Sequence, residues 1–367
     1  MPYERENITR LSAYVPGEQP ADARLVKLNT NENPYPPPEP VMQAIRGLAP
    51  DVLRRYPSPT AQPFRELAAE VHGVTPAQVI ATNGGDELLR LAITVFCEPT
   101  GRGVGQIGGG LGVAEPSYSL YPVLAAIHDT AVVRVALGDA FELPGDFADQ
   151  LNDAGCRLAM VVSPHAPSGR AVAADELAAV ARRFRGVLLI DEAYVDFADG
   201  DALGLVRDGD GGRLDNVLIL RSLSKGYSLA GLRFGYGIGH PGLIAALDKA
   251  RDSYNTDAVS QAAATAALRH RELAAAGWNK VRAERGRLAG ALVDRGWRVL
   301  PSDANFLLAQ PGAARQGGTA AEIYESLKRR GVYVRYFDQD RLRDRLRITV
   351  GTAEQNDALL AALDASC

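Results

Sequence analysis

Arg221-Ser-Leu-Ser-Lys225-Gly-Tyr-Ser-Leu-Ala-Gly-Leu-Arg233-Phe-Gly-Tyr236 decides how the rest of the chain is read. It follows Val217-Leu-Ile-Leu220, an apolar run whose length and branching predict a buried strand. The run gives way to small and polar residues around one lysine, with hydroxyls at Ser222 and Ser224 and an arginine at 233. These residue types suit one chemistry. A lysine can form a Schiff base with an aldehyde cofactor, while hydroxyls and the planar fork of an arginine can hold that cofactor's phosphate. By itself Lys225 reads as a solvated loop lysine, and the motifs on either side turn the balance.

Upstream, Val187-Leu-Leu-Ile190 is a second predicted buried strand, ending in Asp191-Glu-Ala-Tyr194. A carboxylate at the C-terminal end of a strand lies where open α/β sheets bind ligands, although a helix cap after a strand has the same local pattern. Further back, Val79-Ile-Ala-Thr82 leads through Asn83-Gly84-Gly85-Asp86 into a helical pattern. Glycines let the backbone approach a phosphate, and the helix N-terminus offers N–H groups and the positive dipole end. Asp86 reads as the N-cap of that helix. Between these motifs lies Glu115-Pro-Ser-Tyr118-Ser-Leu-Tyr121-Pro. Its Tyr118 is the ring available to stack on a flat heteroaromatic cofactor.

In this order the motifs resemble the fold-type I pyridoxal-phosphate (PLP) aminotransferases, and within them the histidinol-phosphate aminotransferase family. The resemblance runs over nearly the whole chain. It implies an α/β fold, with a large domain of mostly parallel sheet between helices and a smaller α/β C-terminal domain. It assigns Lys225 to the cofactor aldehyde and to proton transfer, Asp191 to the pyridine nitrogen, and Tyr194 to the ring hydroxyl oxygen. Gly84, Gly85, Asp86, Ser222, Ser224 and Arg233 fall around the phosphate, and Tyr118 on the ring face. Arg54-Arg-Tyr56-Pro resembles a segment whose tyrosine reaches the phosphate of the neighbouring subunit, which implies a homodimer with shared active sites. On the substrate side the resemblance points to Tyr14, Asn31 in Asn29-Thr-Asn-Glu-Asn-Pro34, Asn305 and Arg347, with Arg335 as a second anion candidate. Arg251-Asp-Ser-Tyr254-Asn255 resembles the family's substrate-side turn. One position departs from the pattern. In Ser163-Pro-His165-Ala166-Pro167-Ser168-Gly169 the family has asparagine before Pro-Thr-Gly, donating to the cofactor's ring oxygen. Ala166 lacks that donor, and the adjacent His165 is the residue that a shifted loop would bring in its place.

The remaining pattern alternates strand and helix. Helices are predicted over Glu39–Leu48, Pro63–His72 and Asp175–Arg185, with strands over Ala131–Val135 and Leu158–Val162. Alanine- and arginine-rich helices fill 241–295, including a long connecting helix. Strands at Arg298–Leu300, Val332–Arg335 and Leu346–Gly351 flank a helix at 320–330. Residues 1–36, rich in proline and polar residues, read as an N-terminal arm. Residues 37–250 form the expected large domain and 251–367 the small one. The glycine-rich stretch from Pro99 to Gly112 reads as a surface loop.

At 367 residues the chain is long enough for two domains. Its net charge of −4 gives no case for nucleic acid or anionic membranes as partners. Cys97, Cys156 and Cys367 have no metal-ligand spacing and suit free thiols in a reducing cytoplasm. No apolar run approaches a membrane span, and the polar start lacks a signal-peptide apolar region. The implied activity is transamination between histidinol phosphate and 2-oxoglutarate in histidine biosynthesis, with a small-molecule amino donor and a 2-oxo acid acceptor. An aromatic aminotransferase of relaxed specificity, a threonine-phosphate decarboxylase and a catalytically silent PLP-binding protein are the alternatives.

Overall fold

A computed structural model describes residues 3–12, 17–20, 22, 25–100, 109–208, 213–312 and 318–365. Its larger sheet has seven strands in the order Val79–Thr82, Gly235–Gly239, Val217–Ser222, Val187–Asp191, Leu158–Val162, Leu111–Glu115 and Val132–Ala136. All run parallel except Gly235–Gly239, which is antiparallel to both of its neighbours. Both faces are covered, as continuous apolar strands require. Val217 and Ile219 point into one apolar cluster with Phe64, Phe184 and Phe234. Leu218 and Leu220 point into the other, with Leu88, Tyr121 and Leu247. The alternation is the period-two geometry of a strand. Each large aliphatic side chain fully removed from water in this way contributes about 1.5–3 kcal/mol.

Parallel strands carry their C-terminal ends to one edge. Asp191 and Ser222 both end strands there. The antiparallel strand brings its start to the same edge: Gly235 is paired with both Ser222 and Thr82. Arg233 and the turn into the Gly84–Phe96 helix are thereby placed beside Ser222. A side chain at Gly235 would sit 2.8 Å from the Gly84 carbonyl carbon, so this close approach requires glycine.

The second sheet is antiparallel, in the order Arg335–Tyr336, Leu346–Thr349, Phe306–Gln310 and Arg298–Val299. Its core takes Leu327 from the Ala320–Arg329 helix and Leu359 and Leu363 from the Ala353–Asp364 helix. It also takes Leu288 and Leu292 from the 24-residue Arg271–Asp294 helix, whose N-terminal half packs Trp278 and Val281 into the larger cluster. The chain start joins here as well. Val26–Lys27 pairs in parallel with Val332–Tyr333, and Leu28 is buried in the small core.

Three local expectations change. The strand predicted over Val332–Arg335 is two short strands in different sheets, because Val332–Tyr333 faces the N-terminal segment and Arg335–Tyr336 faces Leu346–Thr349. The expected loop through Gly112 ends sooner: Leu111 and Gly112 pair with neighbours on both sides, while residues 101–108 lie outside the described residues. The N-cap of the glycine-led helix is Asn83, and Asp86 is its third residue. Cys97 and Cys156 are free, buried thiols whose ionisation burial pushes up to about 12 and about 11; Cys367 lies outside the described residues. Among the described residues no helix is long and apolar enough to cross a membrane, and no His, Cys, Asp and Glu group has metal-binding geometry.

Candidate active site

A cleft of about 290 Å³ opens between the C-terminal strand edge and the small sheet. From the large body it is lined by Gly85, Asp86, Tyr118, Asp191, Tyr194, Ser222, Ser224, Lys225 and Arg233; from the other side come Asn31, Arg335 and Arg347. Residues separated by more than three hundred positions in sequence therefore face one space.

Lys225 follows the Val217–Ser222 strand, and its Nζ donates to the Thr30 carbonyl at 3.1 Å. Burial, assisted by the positive charge of Arg347, lowers its pKa to about 8. Near pH 8 this leaves roughly a hundredfold more neutral amine than an ordinary lysine would have. Asn33, which the sequence reading did not single out, holds the backbone on either side by donating to the Lys225 and Gly226 carbonyls at 3.0 and 3.1 Å.

Asp191 is buried at its strand end. Burial raises its pKa to about 6, against the lowering effect of two donors, the Tyr121 hydroxyl at 2.8 Å and the Ala193 N–H at 3.1 Å. Tyr121 was also not anticipated. It lies three residues after Tyr118, across the turn that leads into the Leu120–Ile127 helix, and the two rings meet edge to face at 5.5 Å. That spacing was the available signal.

One end of the cleft is built by the first turn of the Gly84–Phe96 helix, Ser222, Ser224 and Arg233. Arg233 is itself left-handed (φ 56°) and reaches Ser224 Oγ at 3.4 Å and Asp86 Oδ2 at 3.3 Å. Gly84 has φ +76°, and a side chain there would meet the Arg233 guanidinium at 2.7 Å. Glycine is thus needed for both the turn and the arginine's approach. Gly84 does not itself line the cleft.

Across the cleft, Arg347 donates to the Asn29 carbonyl at 2.9 Å and lies 5.4 Å from the ring centres of both Phe306 and Phe337. Arg335 lies 5.2 Å from Phe337. Two cations therefore share this side of the cleft, held by aromatic faces.

Several candidates lie elsewhere. Asn305 is fully buried, donates to the Asn31 carbonyl at 3.0 Å and does not line the cleft; it acts on the wall from behind. Tyr56 is 81% exposed and stacks on Tyr254 at 4.5 Å, outside this chain's own cleft. Asn255 is likewise outside, bonded to the Ala81 carbonyl and to Glu87. Tyr14 lies outside the described residues. His165 does not replace the missing asparagine. It is buried, with Nδ1 2.7 Å from Ser168 Oγ and Nε2 2.8 Å from the Pro116 carbonyl, and burial lowers its pKa to about 4. Ala166 does line the cleft, in an apolar pocket with Ala304, Phe306 and the Tyr194 ring.

Residues 23–363 match the sequence model of the family described as aminotransferase class I and II. The chain belongs to the class I and II aminotransferases. It is 42% identical to histidinol-phosphate aminotransferase 1 of Nostoc sp. over 98% of this chain and 97% of that one. Against the histidinol-phosphate aminotransferase of Geobacter sulfurreducens the identity is 41%, over 98% of each chain. The crystal structure of histidinol-phosphate aminotransferase from Sinorhizobium meliloti in complex with pyridoxal-5′-phosphate superposes with a TM-score of 0.87. It is 26% identical and covers 100% of this chain and 98% of that one. The family resemblance and the fold expected from the sequence are therefore borne out: this aminotransferase is a PLP-dependent transferase of fold type I. Its donor set fits the cofactor. A helix N-terminus, two hydroxyls and a guanidinium suit a phosphate, a buried carboxylate suits a ring nitrogen, and an amine of lowered pKa suits an aldehyde.

Proposed function

We propose that this aminotransferase exchanges the amino group between histidinol phosphate and 2-oxoglutarate in histidine biosynthesis. The observation that carries this reading is the pairing, in one cleft, of the buried low-pKa Lys225 with Arg335 and Arg347, in a chain about 40% identical to named histidinol-phosphate aminotransferases. Two arginines suit a substrate that carries a phosphate at one turn of the reaction and a carboxylate at the other.

The residues divide the work. The Gly85–Asp86 turn, Ser222, Ser224 and Arg233 hold the cofactor's phosphate, and Tyr118 covers its ring. Asp191 holds a proton on the ring nitrogen. When bound, PLP supplies an electron sink for charge developing at the substrate's Cα. Lys225, as general base, takes the Cα proton and returns it on the far side of the exchange. Arg347 and Arg335 orient the substrate's anionic group, and Tyr194 donates to the ring oxygen. Tyr56, exposed and stacked on Tyr254, contributes to the cofactor phosphate of a second copy in a homodimer. The setting is the cytoplasm, in keeping with the free thiols of Cys97 and Cys156.

Donor identity is tested by adding histidinol phosphate, phenylalanine or glutamate to the PLP-loaded protein and following its visible absorbance. Histidinol phosphate and glutamate are expected to discharge the band, and 2-oxoglutarate to restore it. A faster response to phenylalanine would overturn the substrate in favour of aromatic amino acids, and CO₂ release would replace transamination by decarboxylation.

Tyr121 gives a separate prediction. Its hydroxyl lowers the pKa of Asp191, which burial otherwise raises. Tyr121→Phe is expected to move that pKa above about 6 by about one pH unit. The acid limb of PLP binding, measured by fluorescence quenching against pH, then shifts upward by the same amount, because Asp191 loses its charge sooner as pH falls.

A further inference from the structure

Asn31 is 1% exposed, yet every polar group it carries is engaged. Its N–H donates to Thr349 Oγ1 at 3.0 Å, and its carbonyl accepts from Asn305 Nδ2 at 3.0 Å. Its Oδ1 accepts from the Thr349 hydroxyl at 3.1 Å, and its Nδ2 donates to the Tyr194 hydroxyl oxygen at 3.0 Å. The residue is also left-handed, with φ 56°. A non-glycine residue in that region persists where its surroundings over-determine it, and such positions cluster at functional sites. Here the N-terminal segment, the Leu346–Thr349 strand and the loop after Asp191 all meet on one carboxamide.

The direction of these bonds matters. The Thr349 hydroxyl accepts from the Asn31 backbone and spends its hydrogen on Asn31 Oδ1, so the amide's NH₂ end faces Tyr194. A phenol oxygen that accepts from that NH₂ must point its own hydrogen elsewhere. Tyr194 lines the cleft, packed beside Ala166 and Phe306. We propose that Asn31, held by Thr349, is a positioning residue that turns the Tyr194 hydroxyl hydrogen toward the bound cofactor's ring oxygen. This rests on the proposed reading of the cleft and assigns Asn31 a task other than touching substrate.

The test uses the PLP-loaded protein and reads the pH midpoint of its visible absorbance, together with the melting temperature. A hydrogen bond donated to the ring oxygen stabilises its deprotonated form, so losing the bond raises the midpoint. Asn31→Asp keeps the shape and the tolerance of a left-handed backbone, but its carboxylate accepts from Tyr194 and draws the hydrogen away. Asn31→Gly keeps the backbone and deletes the side chain. Thr349→Val releases the carboxamide. Tyr194→Phe is the reference. The midpoint is expected to rise by about one pH unit in Asn31→Asp and Tyr194→Phe, and by less in Asn31→Gly and Thr349→Val. The Asn31→Gly/Tyr194→Phe double variant should rise no further than Tyr194→Phe alone. If the Asn31 and Thr349 variants melt lower with an unmoved midpoint while Tyr194→Phe shifts it, Asn31 is only structural and the inference is overturned. An unmoved midpoint in Tyr194→Phe overturns the reading of Tyr194 itself, and the inference with it. Asn31→Gly, which relieves the left-handed strain, keeps the test decisive should Asn31→Asp fail to fold.

Discussion

Lys225→Ala is expected to abolish multiple turnover, with the loss of at least about 10⁴-fold expected when a residue serves as both nucleophile and general base. The amine is the basic group that the fold has prepared. It is buried, hydrogen-bonded to the Thr30 carbonyl, and lowered to about 8 by desolvation and by Arg347. Asp191 and Tyr194 face the same cleft, but neither is an amine able to condense with an aldehyde. Folding should survive the change. Because the folded-state pKa of Lys225 is depressed below the ordinary lysine value of 10.5, the lysine's contribution is fully present only above that value. It is lost as pH falls toward 8. Removing it therefore stabilises the unloaded protein near neutral pH, by on the order of 3 kcal/mol from the linkage relation. Steady-state assay and urea denaturation of the unloaded protein at pH 7 and pH 10 check both halves. Turnover above about 1% of the parent would remove Lys225 from the proposed role, and an unchanged pH dependence of stability would contradict its buried, low-pKa setting.

Asp191→Asn is expected to lower kcat/KM by about 10²–10³-fold, the size of effect seen when one preorganised electrostatic partner is lost. The substitution is nearly isosteric: the Tyr121 hydroxyl and the Ala193 N–H bond different carboxylate oxygens, so the carboxamide oxygen keeps the Ala193 N–H while the Tyr121 hydroxyl turns to accept from the new NH₂. What disappears is the negative charge, which the protein retains at a buried strand end although burial raises its pKa to about 6. A buried carboxylate held by neutral donors alone, as Asp191 is among the described residues, is costly. The variant should therefore be at least as stable without cofactor while binding PLP more weakly. Calorimetry with and without PLP separates the two effects, and an equal loss of stability in both states would make Asp191 a structural cap and nothing more.

Much of this was open to reading in the chain. The apolar runs at Val187 and Val217 announce buried strands, and the residues just after them, Asp191 and Lys225, are placed by a rule of parallel sheets: strand ends converge. Gly84 and Gly85 signal a close approach of backbone, and at Gly84 the left-handed turn requires glycine. The sequence alone thus determined the α/β class, the strand edge that carries chemistry, and the family. What only the tertiary structure decided depends on contacts between distant segments and on direction. Tyr121 reaches Asp191 across 70 residues, and Asn31 meets Thr349 across 318. Asn305 turned out to stand behind the wall, and His165 to be spent on Ser168 and Pro116. A strand pattern says which face a side chain takes, because the period of two is local. It does not say which hydrogen-bond partner waits on that face, because the partner arrives from another element and is set by packing.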